Sequence, residues 1–183
     1  MPSDFRFCDL FSGIGGFHIG LSQLGGKCVF SSDIDEDANN TYNENFDFRP
    51  FGNIKEIESS EIPDFEILTA GFPCQSFSNV GPGGGLHDPR GALIFDVFRI
   101  LNDKAPNAFI IENVRGLMSI DKGKTLTLIL NELDILGYNV FYEILNATHY
   151  GLPQIRNRLF IVGIRKDLGN KFEFPEKWDR LLY

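Results

Sequence analysis

Residues 9–21 read DLFSGIGGFHIGL, an apolar strand end that runs into three glycines and then into a helical repeat. Arg6 to Leu10 gives the strand. Gly13, Gly15 and Gly16 make a tight turn, and Phe17, Leu21 and Leu24 follow at 3–4 spacing until Gly25 and Gly26 end the helix. Glycines in such a turn let backbone N–H groups face a ligand with no Cβ in the way, so a nucleotide-like cofactor is expected there. The next apolar run, Lys27 to Ser32, ends at Asp33, 18 residues after Gly15. In a doubly wound sheet a carboxylate at that place accepts hydrogen bonds from ribose hydroxyls. The dinucleotide fingerprint G-x-G-x-x-G is broken by His18 at its third glycine position, which weighs against a nicotinamide dehydrogenase. The plainer alternative is a turn made of glycines and an acid that merely precedes a helix.

Outward from this unit, short apolar runs alternate with longer helical periodicities. A helix spans Glu36 to Asn45, a strand Phe65 to Ala70, a helix about Ala92 to Asn102, a strand Ala108 to Ile111, and a helix about Thr125 to Leu136. Two strand-like runs, YNVFYEILNA and RLFIVGIR, close the chain and are joined by a link too short for a parallel crossover. The pattern predicts an α/β domain, a mostly parallel sheet with an antiparallel C-terminal hairpin, occupying residues 1–183 as one unit. GPGGG at 81–85 reads as a mobile flap.

Composition narrows the function. The chain has 183 residues, of which 43% are hydrophobic and 23% charged, the profile of a globular domain. It shows neither a run long enough to span a membrane nor the start of a signal peptide, so a cytoplasmic location is expected. Cys8, Cys28 and Cys74 have no metal-ligand spacing and are odd in number, so free thiols are expected and no metal site. A net charge of −8 argues against a nucleic-acid footprint built from clustered Lys and Arg within these residues.

Cys8 and Cys28 lie inside apolar strands and read as core. Cys74 does not: in GFPCQSFSNVG, residues 71–81, it follows a proline on a Gly/Ser-rich loop beyond the strand FEILTA. That is the edge where α/β sheets assemble their sites, and an accessible thiol near backbone N–H groups or cations is a nucleophile's arrangement. Glu112 in FIIENV ends the fourth strand on the same edge, and Arg156 and Arg158 in QIRNRLFIVG lie two apart just before the last strand, both facing one side if strand geometry already applies there. Taken alone, Glu112 has a plainer alternative as a helix-capping or surface acid, and the arginines as a solvated strand edge. Together they offer a thiol, a carboxyl and guanidiniums for one pocket, with Arg90 a further nearby cation.

These four stretches, DLFSGIGGF, GFPCQSFS, ENVRG and QIRNRLFIVG, resemble in order and spacing the cytosine-C5 DNA methyltransferases. The resemblance covers nearly the whole chain. It implies a Rossmann-like fold that binds S-adenosylmethionine, with S-adenosylhomocysteine as product, and DNA as substrate, RNA remaining an open alternative. It implies that the target cytosine is flipped out of the helix because C5 and C6 are unreachable in a stacked duplex. By the same resemblance Cys74 adds to C6, Glu112 contacts N3 and the exocyclic amino group, and Arg156 and Arg158 hold the base carbonyl, the thiol and a phosphate. Phe11, Gly13, Gly15, Asp33, Ile34, Asn53, Ile54, Pro73 and Leu93 would contact the cofactor. Two departures predict weaker cofactor binding: Asn53 stands where relatives often carry an acid, and Ile34 where they often carry a larger aromatic. Members of the family continue into a target-recognition domain and a final pocket-closing segment, so the resemblance implies a chain incomplete at its C-terminus, or one served by a second chain. A catalytically inactive scaffold that binds DNA or a partner is the competing expectation.

Overall fold

Runs rich in β-branched and aromatic residues, each closed by a turn former, become strands, and the 3–4 spaced apolar residues between them become helices. The computed structural model describes residues 4–72, 93–169 and 171–178. In chain order they form β1 (Phe5–Leu10), α1 (Gly16–Gln23), β2 (Gly26–Ser32), α2 (Glu36–Phe46), β3 (Ile67–Ala70), α3 (Ile94–Lys104), β4 (Ala108–Val114), α4 (Lys124–Ile135), β5 (Tyr138–Asn146) and β6 (Asn157–Arg165). Pro73, Cys74, Arg90, the glycine run 81–85 and the expected helix start at Ala92 lie outside the described residues. No helix among the described residues is long and apolar enough to cross a membrane.

The six strands form one sheet in the order β2-β1-β3-β4-β6-β5. β1 pairs in parallel with both β2 and β3, and β3 with β4, while β6 runs antiparallel to β4 and to β5. The expected C-terminal hairpin is therefore present, and β6 is also inserted between β4 and β5. The strand order reverses at β1, and the crevice beyond the carboxyl ends of β1 and β3 is where such sheets place ligands.

Alternation along the strands splits the core in two. Cys8, Leu10, Phe30, Leu68, Ala70, Phe109, Ile111, Leu159 and Ile161 turn to one face and pack with Ile94, Val97, Ile100 and Leu101 of α3 and Ile129 and Leu133 of α4. Phe7 and Cys28 turn to the other face, against Leu21 of α1. Both strand cysteines are buried, as expected.

Two strand boundaries differ from the sequence reading by more than one residue. β3 begins at Ile67 rather than Phe65, although Phe65 is still buried. β4 runs three residues past Ile111, because β6 continues the ladder through Glu112↔Phe160, Asn113↔Leu159 and Val114↔Arg158. A polar Glu-Asn pair hides this extension from any apolar pattern; the partner strand supplies it.

Candidate active site

The turn after β1 is fastened from the protein side. Phe11, Gly13 and Gly15 all have positive φ, and the Gly15 N–H donates to the Ser12 carbonyl at 2.9 Å. The Gly13 N–H donates to Asp33 Oδ2 at 2.8 Å, and Asp33 Oδ1 accepts from the Asp35 N–H at 2.9 Å. The expectation that these N–H groups face a ligand is thus changed for Gly13 and Gly15, whose donors are taken up internally. The acid after β2 instead grips the glycine turn after β1, and each carboxylate oxygen keeps lone pairs for a further donor.

Phe11, Ser32, Asp33, Ile34, Gly52, Asn53, Ile54, Lys55, Gly71 and Leu93 line a cavity of about 310 Å³ at the strand-order reversal. Its size lies at the lower end of the range for small-molecule sites. Its chemistry is a carboxylate beside apolar walls. Of the residues expected to contact a cofactor, Phe11, Asp33, Ile34, Asn53, Ile54 and Leu93 line it; Gly13 and Gly15 shape the turn without lining it. Gly15 has a different reason to be glycine: a Cβ there would collide with the Phe46 ring of α2. Ile34 is 75% exposed at the lip. Asn53 caps the 3-10 turn that follows it, its Oδ1 accepting from the Lys55 N–H at 3.2 Å and its Nδ2 donating to Glu56 at 3.2 Å. Ser32, Gly52, Lys55 and Gly71 were not foreseen as lining residues. Only Gly71, one residue past a strand in a glycine-containing loop, carried a signal that could have marked it.

The acidic end lies alongside. The Arg158 Nε is 2.8 Å from Glu112 Oε1, and an Arg156 terminal nitrogen is 3.8 Å from the same oxygen. Period two explains the closer contact: Glu112 pairs with Phe160, so Arg158, two residues before Phe160, returns to the same face, while Arg156 lies one residue before β6 begins. A Cβ built on Gly71 would lie 3.9 Å from Glu112 Oε2, so this carboxylate borders the cavity across a single glycine. Asn113, buried, donates from Nδ2 to the Phe72 carbonyl at 2.9 Å and so holds the last described residue before Pro73. The structure brings Glu112, Arg156 and Arg158 together. Cys74 lies outside the described residues.

Beneath the turn, Asp9 is fully buried, with Oδ1 accepting from the Thr69 hydroxyl at 2.7 Å and Oδ2 without a partner among the described residues. Burial pushes this carboxyl up to about 7, helped by the neighbouring Asp33 and opposed by the Thr69 hydrogen bond. Burial also raises the Cys8 and Cys28 thiols, as befits structural cysteines.

A sheet of this order, reversing at β1 over a nucleotide-sized cavity with a carboxylate at the second strand end, defines a Rossmann-like methyltransferase fold. The chain belongs to the C-5 cytosine-specific DNA methylase family, whose family model matches residues 5–181. It is 50% identical to the type II methyltransferase M.BsuFI of Bacillus subtilis, over 93% of this chain and 42% of that protein. It is 51% identical to M.HpaII of Haemophilus parainfluenzae, over 97% of this chain and 51% of the relative. Among solved structures it is similar to a Spodoptera frugiperda DNMT2, with a TM-score of 0.74 and 25% identity over 95% of this chain and 54% of that one. The chain spans about half the length of the relatives it matches.

Proposed function

We propose that this chain carries the catalytic part of an enzyme that methylates C5 of cytosine in DNA, with S-adenosylmethionine as methyl donor. One observation carries the reading: the Glu112–Arg158 pair borders the cavity across Gly71, so a base recognised by Glu112 lies beside whatever the cavity holds. The cavity fits an adenosyl group. Asp33 offers oxygens to ribose hydroxyls, and Phe11, Ile34, Ile54 and Leu93 offer apolar surface to adenine. The Asn53 oxygen retains a lone pair for the adenine amino group. When bound, S-adenosylmethionine supplies an electrophilic methyl on a sulfonium.

The remaining chemistry falls to the chain. The C5 of cytosine is a weak nucleophile, and a thiolate added to C6 turns the ring into an enamine whose C5 is electron-rich. Cys74 forms that bond. Glu112 accepts from the exocyclic amino group of the extruded base and shares a proton with N3, which keeps the ring neutral as the thiolate adds and is returned as it leaves, while Arg158 fixes the direction of the Glu112 carboxyl group. Arg156, more exposed, reaches towards the base carbonyl and the neighbouring phosphate. After C5 takes the methyl group, loss of its proton expels the Cys74 thiolate and restores the aromatic ring. A further segment or second chain that reads the DNA sequence belongs to this proposal, since the acidic composition supplies few phosphate contacts.

The test is covalent trapping. An oligonucleotide with 5-fluorocytosine at the target position, incubated with S-adenosylmethionine, should give a complex that survives denaturing electrophoresis, because fluorine cannot leave as the C5 proton does. Cys74→Ser should give none. If no adduct forms with the wild-type chain, alone or supplemented with the C-terminal half of a relative, the scaffold reading replaces this one.

A further inference from the structure

One wall of the cavity, residues 52–55, lies outside the sheet and is tied down at both ends. At one end the Phe51 N–H donates to the Ser31 carbonyl at 2.8 Å and the Phe51 carbonyl accepts from the Asp33 N–H at 3.0 Å, a short parallel bridge on the edge of β2. At the other end the tie comes from α3. Arg99 donates from Nη2 to the Ile54 carbonyl at 3.0 Å and from Nη1 to the Ser59 hydroxyl at 2.9 Å, while Asp96, three residues earlier on the helix, lies 3.4 Å from Nη2. Ser59 in turn hydrogen-bonds the side chain of Asp103, also on α3. The direction of the Arg99 bonds is fixed by chemistry, since a guanidinium only donates and a carbonyl only accepts.

Between the two ties stands Asn53. Its Oδ1 accepts from the Lys55 N–H and its Nδ2 donates to the Glu56 carboxylate, both at 3.2 Å. A backbone N–H needs an acceptor and a carboxylate needs a donor, so the amide is held with its oxygen in one place. The Ile54 carbonyl and the Lys55 N–H belong to one planar peptide unit. Arg99 therefore grips one side of the peptide whose other side orients Asn53 Oδ1. The Ile54 side chain is buried in the main core and the Ile57 N–H reaches the same carbonyl at 3.3 Å, so the turn forms without Arg99. What Arg99 adds is a link from this peptide to α3, the helix whose N-cap Leu93 also lines the cavity.

We propose that Arg99, which does not line the cavity, is a positioning residue for the cofactor's base: by fixing the plane of the 54–55 peptide it holds Asn53 Oδ1 as an acceptor at the cavity wall and makes the site select a purine with an amino group at C6 over one with a carbonyl there. The inference rests on the cofactor reading above. An amino group at C6 donates to the remaining lone pair of Asn53 Oδ1. A carbonyl at C6 sets one acceptor against another, and a wall free to turn would relieve that opposition.

Calorimetric titration of the full chain with S-adenosylhomocysteine and S-inosylhomocysteine tests this, because the ratio of the two affinities is unaffected by loss of folded protein. Wild type should prefer the adenosyl ligand by about tenfold, the scale of one hydrogen bond made against one opposed. Arg99→Ala should reduce the ratio to about twofold. Ser59→Ala removes one arm of the fork but leaves the carbonyl bond, and should keep the wild-type ratio. If Arg99→Ala does not fold, Arg99→Met carries the test, since it keeps the packing of the stem and removes the donors. A wild-type ratio in the folded Arg99 variant, even with both ligands weakened or Tm lowered, overturns the proposal and leaves Arg99 a structural tie. Equal affinity of wild type for the two ligands also overturns it, while the cofactor reading stands. If wild type binds neither ligand, alone or with the C-terminal half of a relative added, the cofactor reading falls and this inference falls with it.

Discussion

Glu112 is held by two arginines that are not equivalent. Arg158 sits at 2.8 Å with a quarter of its side chain exposed, whereas Arg156 sits at 3.8 Å with about half exposed. Solvent screens the longer pair, so Arg158 should matter more. Arg158→Ala should lower kcat/KM for methylation by about a hundredfold and Arg156→Ala by about tenfold, close to 2.7 and 1.4 kcal/mol of transition-state stabilisation. Transfer of labelled methyl groups to a duplex measures both, and equal losses would show that the short contact has no special part. These residues were legible in the sequence because they fall together, in order, within motifs that resemble one family, although each alone has a plain structural reading. Asp9, an acid inside an apolar run, and Tyr42, a phenol among the polar residues of α2, were not, since each takes its meaning from what packs over it.

At the scale of the element, the glycine turn and α2 are one joint. Gly15 has φ 94° and opens α1, and its missing side chain leaves room for Phe46. Gly15→Ala should therefore cost about 2–4 kcal/mol from left-handed strain and overpacking together. For a domain of this size that is a fall in Tm of roughly 5–15 °C by differential scanning calorimetry. Adding Phe46→Leu should restore only part of it, because space is returned but the backbone remains strained; full recovery would mean that φ is not the constraint. The sequence offered Asp33 as an acid before a helix, but the N-cap of α2 is Asp35, which accepts from the N–H groups of Asp37 and Ala38. That the neighbouring Asp33 turns back onto Gly13 was not readable, since a sequence shows that two residues are 20 apart and not that they meet.

For the whole molecule, the buried acid beneath the site couples stability to pH. Asp9 is raised to about 7 by burial, so the native state holds its proton where the unfolded chain has lost it. Its contribution is most favourable below about pH 4 and is lost as pH rises towards 7, at about 1.4 kcal/mol per unit in mid-window. Asp9→Asn should flatten urea-derived stability across that window and be the more stable protein near neutrality, unless Asp9 receives a charge partner that keeps it ionised. An unchanged slope would indicate such a partner. What the sequence determined by itself was everything local: the strand and helix succession, the glycine turn with its acid, and a set of motifs specific enough to name the family. Local sterics and apolar periodicity act over a few residues and so leave their record in the chain. Tertiary structure alone decided that β6 inserts between β4 and β5, that β6 extends β4 past Glu112, that Asp33 fastens the glycine turn, that His18 reaches Tyr42, and that Arg99 grips the Ile54 carbonyl. Those outcomes depend on backbone pairing and desolvation between segments distant in sequence, and the energy of such contacts exists only once the sheet has brought them together.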